Sequence, residues 1–179
     1  MENQAENIEI DSPLGMLRLR AERDEDDDFR FQLFCQSCPT EFALLRLEPA
    51  ALGQLMRFQF RAQTEGYRAN FPDARFDIIE LASLRIGRIV VDRRCDVLHI
   101  VDQAIVPSQR NRGVGTAIMK ALMDEAGRAG QMVRLRVAST NDSAMRLYLR
   151  IGFAPIVPDP LSIEMEWRAP AGSTSGFPH

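Results

Sequence analysis

Lysine is nearly missing from this chain of 179 residues: Lys120 is the only one, and every other basic side chain is arginine or one of two histidines, His99 and His179. Cysteine is also scarce. Cys35, Cys38 and Cys95 are too few for a disulfide framework. Cys35-x-x-Cys38 has the spacing of a redox pair or of half a zinc site, but a second ligand pair is missing. No metal is therefore expected, and buried or half-buried thiols in a reducing compartment are the preferred reading. No apolar run reaches the roughly 18 residues that a membrane span needs, and no charged-then-apolar leader opens the sequence. The expectation is a soluble, cytoplasmic protein with no membrane partner. A basic excess is absent as well, since the net charge is −3; nothing in it favours nucleic acid.

What is present is ordinary for a soluble globular protein: 45% hydrophobic and 26% charged residues. The length suits one domain with a sizeable core. Residues 1–13 are polar and acidic and are expected to be loosely held. Leu14–Glu22 alternates Leu17, Leu19 and Ala21 with Arg18, Arg20 and Glu22, which predicts a strand. The acidic run Asp24–Asp28 complements the start of a helix that carries Phe29, Leu33 and Phe34 on one face. A second helix is predicted from Pro49 to Ala69, with Leu52, Leu55, Met56, Phe60 and Gln63 along its stripe. From Arg75 the period changes to two. Residues 76–84, 86–93 and 96–106 read as three antiparallel strands, with turns at Arg85/Gly87 and Arg94/Cys95. A helix from Gly115 to Arg128, a strand over Val133–Ala138, a helix over Ser143–Ile151 and strands over 153–157 and 161–167 complete the pattern. The domain is predicted to span 14–168. The tail from Ala169 is rich in Gly, Ser and Pro and is expected to be flexible.

The most informative stretch is residues 104–116, where an apolar strand end enters a glycine-bearing turn and then an amphipathic helix. Such a turn presents unpaired backbone N–H groups beside the positive end of the helix macrodipole, and this arrangement binds phosphate. Gly113 and Gly115 let the backbone approach an anion, and Arg110 and Arg112 can add charged contacts. The turn is not a Walker loop, for no Gly-Lys-Ser/Thr follows. It is not the dinucleotide fingerprint, because Arg110 stands where the first glycine would be.

Arg110-x-x-Gly113-x-Gly115 resembles the pyrophosphate motif of the GNAT superfamily of acyl-CoA N-acyltransferases. Downstream, Asn141-x-x-Ala144-x-x-Leu147-Tyr148-x-x-x-Gly152-Phe153 is similar to that family's second signature. The resemblance covers about residues 76–167. It implies an α/β fold on a mixed sheet, in the order β-α-α-β-β-β-α-β-α-β-β, whose fourth and fifth strands splay to admit acetyl-CoA. It also implies acetyl transfer to a primary amine, on a small molecule or protein, in a ternary complex. A non-catalytic CoA-binding sensor or interaction module of the same fold is the alternative. Asn111 departs from the family's commonest form, which has glycine there; Asn tolerates positive φ better than most residues. Dimerisation is common in the fold, and the sequence decides nothing about it here.

By the same resemblance, cofactor contacts fall on Ile105, Val106, Arg110, Asn111, Arg112, Gly113, Val114, Gly115, Thr116 and Asn141. The backbone of Ile105 and Val106 would polarise the thioester carbonyl. Tyr148 stands where the family places a tyrosine whose hydroxyl approaches the CoA sulfur; it also lies on the apolar stripe of its helix, as a core tyrosine would. His99 is the base candidate, since a histidine near pKa 6.5 titrates near neutrality. A structurally hydrogen-bonded strand histidine is the competing reading, with Asp102 and Glu80 as fallback bases. Asp102 faces away from His99 in a regular strand, unless a bulge near Gln103 breaks the parity. The acidic run could attract a cationic acceptor, although helix starts commonly carry such runs. No motif names the acceptor.

Overall fold

The computed structural model describes residues 7–37 and 47–170. In chain order its elements are β1 (Ile8–Ser12), β2 (Gly15–Ala21), α1 (Asp27–Ser37), α2 (Pro49–Asn70), β3 (Arg75–Leu81), β4 (Leu84–Arg93), β5 (Val97–Ile105), α3 (Val114–Ala129), β6 (Met132–Ala138), α4 (Asp142–Arg150), β7 (Ala154–Pro158) and β8 (Ser162–Trp167). The strands form one sheet in the order β1-β2-β3-β4-β5-β6-β8-β7. Neighbours are antiparallel except β5 and β6, which pair in parallel.

The alternation of the strands divides the sheet into two unlike faces. On one, Leu17, Leu19, Ile79, Ile89, Leu98 and Val133 meet the apolar stripe of α3, in which Val114, Ile118, Met119, Leu122, Met123 and Ala126 are all buried. Each large side chain in such a stripe contributes about 1.5–3 kcal/mol of burial. Gly130, in the left-handed region at φ +67°, ends that helix. The other face carries Ile78 and Val90 together with buried ionic side chains, Arg20, Arg88 and Asp92. The buried apolar residues of α1 and α2 are Leu33, Met56 and Phe60.

Three details differ from the sequence reading. Ile8–Ser12, expected to be loosely held, is a strand paired along its length with β2. Ile8 and Ile10 alternate with Glu9 and Asp11, and Ile10 is buried. The turn after β3 falls at Ala82 and Ser83, both at positive φ (49° and 66°), not at Arg85/Gly87. This is a mirror-type hairpin turn without its usual Asn-Gly signal. Gly87 therefore lies inside β4, where a Cβ would stand 2.5 Å from the carbonyl oxygen of Ala104. The parity break anticipated near Gln103 is a register shift opposite Val90/Val91: Val90 pairs with Asp102 and Val91 with Ile100, so Val101 is the extra residue. Asp102 thereby shares a face with His99. Residues 1–6, Cys38 and the tail from 171 lie outside the described residues.

Candidate active site

β5 and β6 pair only from Val97↔Met132 to Ile100↔Leu135. Beyond that point β5 stays with β4 as far as Ile105, and β6 stays with β8 as far as Ala138. Two parallel strands that part in this way open a cleft between their C-terminal ends. A cavity of about 1060 Å³ lies there, walled by β5, the turn after it, α3, α4 and α1.

One end of the cavity is made of backbone. Gly113 is the N-cap of α3 at φ +88° with no side-chain cap. The first N–H bonded back to the cap is that of Ala117, to Gly113 O at 2.9 Å. The N–H groups of the preceding first-turn residues thus have no partner within the helix. Asn111 sits at φ +58°, in the left-handed region that glycine most readily fills. A Cβ on Gly113 would meet Pro13 Cγ at 2.8 Å, so the tip of the β1–β2 hairpin packs over the turn. Arg110 ties the turn down: Nε donates to Ile105 O at 2.7 Å, and Nη2 to Gln36 O and Ser37 Oγ at 3.3 Å.

The reacting end is made of side chains. Asn141 caps α4, its Oδ1 accepting from Ala144 N at 3.1 Å. Further along that helix Tyr148 faces the cavity with its phenol pushed up to about 12, first by burial and then by the Asp102 carboxylate. Asp102 lines the same cavity, and burial raises its carboxyl above the usual range against the opposing pull of Arg88. Gln103 Nε2 is buried in the wall without a hydrogen-bond partner. Val106 N donates to Ile86 O at 2.9 Å. In an antiparallel ladder the next pair, Gly87↔Ile105, then points its N–H and C=O away from the partner strand. The Ile105 N–H is thus directed into the splay, whereas that of Val106 is already occupied.

Of the residues expected from the sequence, the cavity brings together Tyr148, Ile105, Arg110, Asn111, Gly113, Gly115, Thr116 and Asn141. Four stand outside its wall. Val106 is spent on β4. Val114 is a core side chain, 1% exposed. Arg112 is at the surface, with Nη1 donating to Gln109 Oε1 at 2.9 Å. His99 is the fourth: it pairs with Asp92 and Arg134 on the flanking strands and rests 6.2 Å from the Phe71 ring. Burial and then Arg94 lower its pKa. Glu80, the other fallback, is taken by Arg20 Nε at 2.7 Å.

Sequence reasoning missed the arginines. Arg30, Arg88, Arg146 and Arg150 all reach the wall. The spacing of Arg146 and Arg150 on a helix was a readable signal. Arg30 and Arg88 carried none, being brought in from separate elements. Within the acidic run Asp26 has a structural role: it is fully buried, accepts from Arg23 N at 2.9 Å, and takes a two-pronged contact from Arg20 at 2.7 and 2.8 Å.

Residues 51–153 match the Acetyltransferase (GNAT) family. Among solved structures, the PaiA N-acetyltransferase from Thermoplasma acidophilum in complex with coenzyme A is 16% identical, with a TM-score of 0.62 over 85% of this chain and 98% of that one. An acetyltransferase from Thermus thermophilus is 20% identical, with a TM-score of 0.60 over 85% and 96%. Ard1 from Thermoplasma volcanium is 20% identical, with a TM-score of 0.56 over 85% and 97%. At these identities the likeness establishes the fold. No curated protein matches the chain. Among the described residues no helix is long and apolar enough to cross a membrane.

Proposed function

The chain belongs to the GNAT acetyltransferase family, and from that premise we propose that it moves an acetyl group from acetyl-CoA to a primary amine by direct transfer in a ternary complex. One observation carries the reading: a helix N-terminus without a side-chain cap, a half-buried tyrosine and a half-buried carboxylate share one cleft between parting parallel strands. The residues present fit acetyl-CoA. The α3 N-terminus and the turn at Asn111–Gly113 suit a pyrophosphate. The Ile105 N–H and the unpartnered Gln103 amide suit the carbonyls of a pantetheine arm, and the coenzyme A bound to the PaiA relative supports this use of the cleft.

The chemistry assigned to these side chains is simple. The amine nitrogen attacks the thioester carbonyl carbon, forming the C–N bond, and the Ile105 N–H steadies the oxyanion. The nitrogen's surplus proton passes to Asp102, whose raised pKa makes it a stronger base than a solvated carboxylate. Collapse breaks the C–S bond, and the Tyr148 hydroxyl gives its proton to the departing thiolate. A phenol held protonated to about 12 keeps that proton available throughout the neutral range. Asp102 therefore replaces His99 as the proposed base, because His99 does not face the cavity.

Thermal-shift titration with acetyl-CoA, with ATP as the phosphate control, is the first test. At about a hundred times the dissociation constant a ligand adds roughly 2.7 kcal/mol of stability. A rise with acetyl-CoA and not with ATP is expected; an equal rise with both, or none, overturns the reading. Thiol release with amines then measures turnover. Tyr148→Phe and Asp102→Asn should each lower kcat by about a hundredfold with acetyl-CoA affinity kept. Full activity in either variant removes that residue from its role.

A further inference from the structure

The acceptor end of the cleft holds a buried guanidinium that rests over the rings of Phe76 and Tyr67 and leaves two of its three nitrogens without a hydrogen bond. Arg88 is 4% exposed, lines the cavity, and has Nε and Nη2 buried without hydrogen-bond partners. Its nearest carboxylates are too far for hydrogen bonds: Asp102 Oδ2 at 3.6 Å from Nη1 and Glu22 Oε2 at 3.9 Å from Nε. Glu22 Oε2 is itself unpartnered, while Glu22 Oε1 is shared by Arg30 Nη1 at 2.9 Å and Arg68 Nη2 at 2.7 Å. Beside it Arg30, 8% exposed and also in the wall, keeps a buried and unpartnered Nε. A buried guanidinium without hydrogen bonds is costly unless something supplies acceptors.

The charge of the whole cleft agrees. Among the described residues, five arginines (Arg30, Arg88, Arg110, Arg146 and Arg150) and one carboxylate, Asp102, line it. Arg110, Arg146 and Arg150 belong to the turn and to α4, where the phosphates of CoA would lie. Arg30 and Arg88 lie across from them, on α1 and β4. A cleft of this sign repels a polyamine and draws an anion. The planar fork of arginine matches a carboxylate in particular.

Resting on the acetyl-transfer reading above, we propose that the acceptor is an amine with a carboxylate one or two carbons from its nitrogen, the carboxylate held by Arg88 and Arg30 while the amine faces Asp102. The short spacing follows from the 3.6 Å between Arg88 Nη1 and Asp102 Oδ2. Groups that recognise an anion and an ammonium side by side require both on one small fragment. Arg30 and Arg88 act on position; neither moves a proton.

The test uses the full chain saturated with acetyl-CoA and a matched panel: free amino acids, the same amino acids as carboxamides, a polyamine and ethanolamine phosphate. Thiol release and thermal shift are read together. The free acids should exceed their carboxamides in kcat/KM by about tenfold to a hundredfold, the worth of a lost charge-assisted hydrogen bond. Arg88→Lys should raise KM for the acids with a smaller change in kcat, and should raise it more for the acids than for the carboxamides, so that the gap between them narrows. Equal use of acids and carboxamides, or preference for the polyamine or the phosphate ester, overturns the carboxylate assignment. So does a protein that binds acetyl-CoA but neither binds nor acetylates any acid in the panel. Failure to bind acetyl-CoA at all is a different result, and overturns the acetyl-transfer reading beneath it.

Discussion

The two walls of the cleft are built by different means. The wall from Ile105 to Phe153 is mostly local: a strand end, a turn, a helix start and a second capped helix, with contacts between near neighbours such as Asn141 and Ala144, and with Arg110 alone reaching out to Gln36 and Ser37. The wall formed by α1, α2 and β4 is an ionic lattice tied across long separations. Arg20 reaches Glu80, 60 positions away, and Arg68 reaches Glu22, 46 positions away. On the acetyl-transfer proposal, the first wall meets acetyl-CoA largely with backbone, and the second meets the acceptor with side chains. Those side chains also serve the fold, so the two kinds of mutation should fail differently.

The largest effect is expected at Asp26. Its carboxylate is fully buried between Arg20 and Arg85, and the hydrogen bonds from Arg20 hold its pKa well below the usual carboxylate range. Asp26→Ala strips the buried Arg20 of its two-pronged partner, leaving it Glu80 alone, and should cost about 3 kcal/mol in urea denaturation. The molecules that remain folded should keep their acetyl-CoA affinity. The sign of the pH dependence follows from the depressed pKa. The stabilisation is present above the unfolded value of about 3.9 and is lost as pH falls through the folded one, so acid sensitivity should weaken in the variant. A collapse of acetyl-CoA affinity along with stability would mean that the walls are one unit.

Gly113→Ala is the complementary break, at smaller cost. Its φ of +88° strains any side chain, and the new Cβ would press on Pro13 Cγ at 2.8 Å. The left-handed conformation alone costs roughly 1–2 kcal/mol. Isothermal titration should show acetyl-CoA affinity lowered by about tenfold or more as the turn shifts. Unaltered affinity would show that the turn does not hold the phosphates.

The same division explains what the sequence could reveal. Periodicity placed α2, α3 and α4 and most strands to within a residue or two, because amphipathic faces repeat locally. Glycine spacing exposed the phosphate turn because positive φ and close backbone approach leave few residue choices, and Asn111 at φ +58° is the permitted substitute. Three features carried no such signal. The hairpin turn at Ala82 and Ser83 uses residues that seldom adopt positive φ. The extra residue at Val101 is set by pairing with β4, not by its own side chain. Arg30 and Arg88 come together only after α1 has folded over the sheet.

His99 shows the consequence and gives the smallest predicted effect. Counting along a regular strand makes it the histidine of the approach to the cleft, and its intrinsic pKa makes it an attractive base. The register shift at Val101 changes the geometry. It brings Asp102 onto the face His99 occupies, but three residues nearer to the splay, so the carboxylate enters the cavity and the imidazole stays beside Phe71. His99→Gln should therefore keep turnover within about twofold from roughly pH 6 to 9, a range in which a catalytic imidazole would impose its own titration. The lowered pKa of the native imidazole has a separate, modest effect on stability. Its neutral form is favoured in the fold, so that contribution is present above about 6.5 and is lost as pH falls through the folded value. Glutamine does not titrate, so stability should fall less on mild acidification while the rate profile is unmoved. A lost acidic limb in kcat/KM would instead return the base to His99, and would require that the cleft reach deeper along β5 than its present wall.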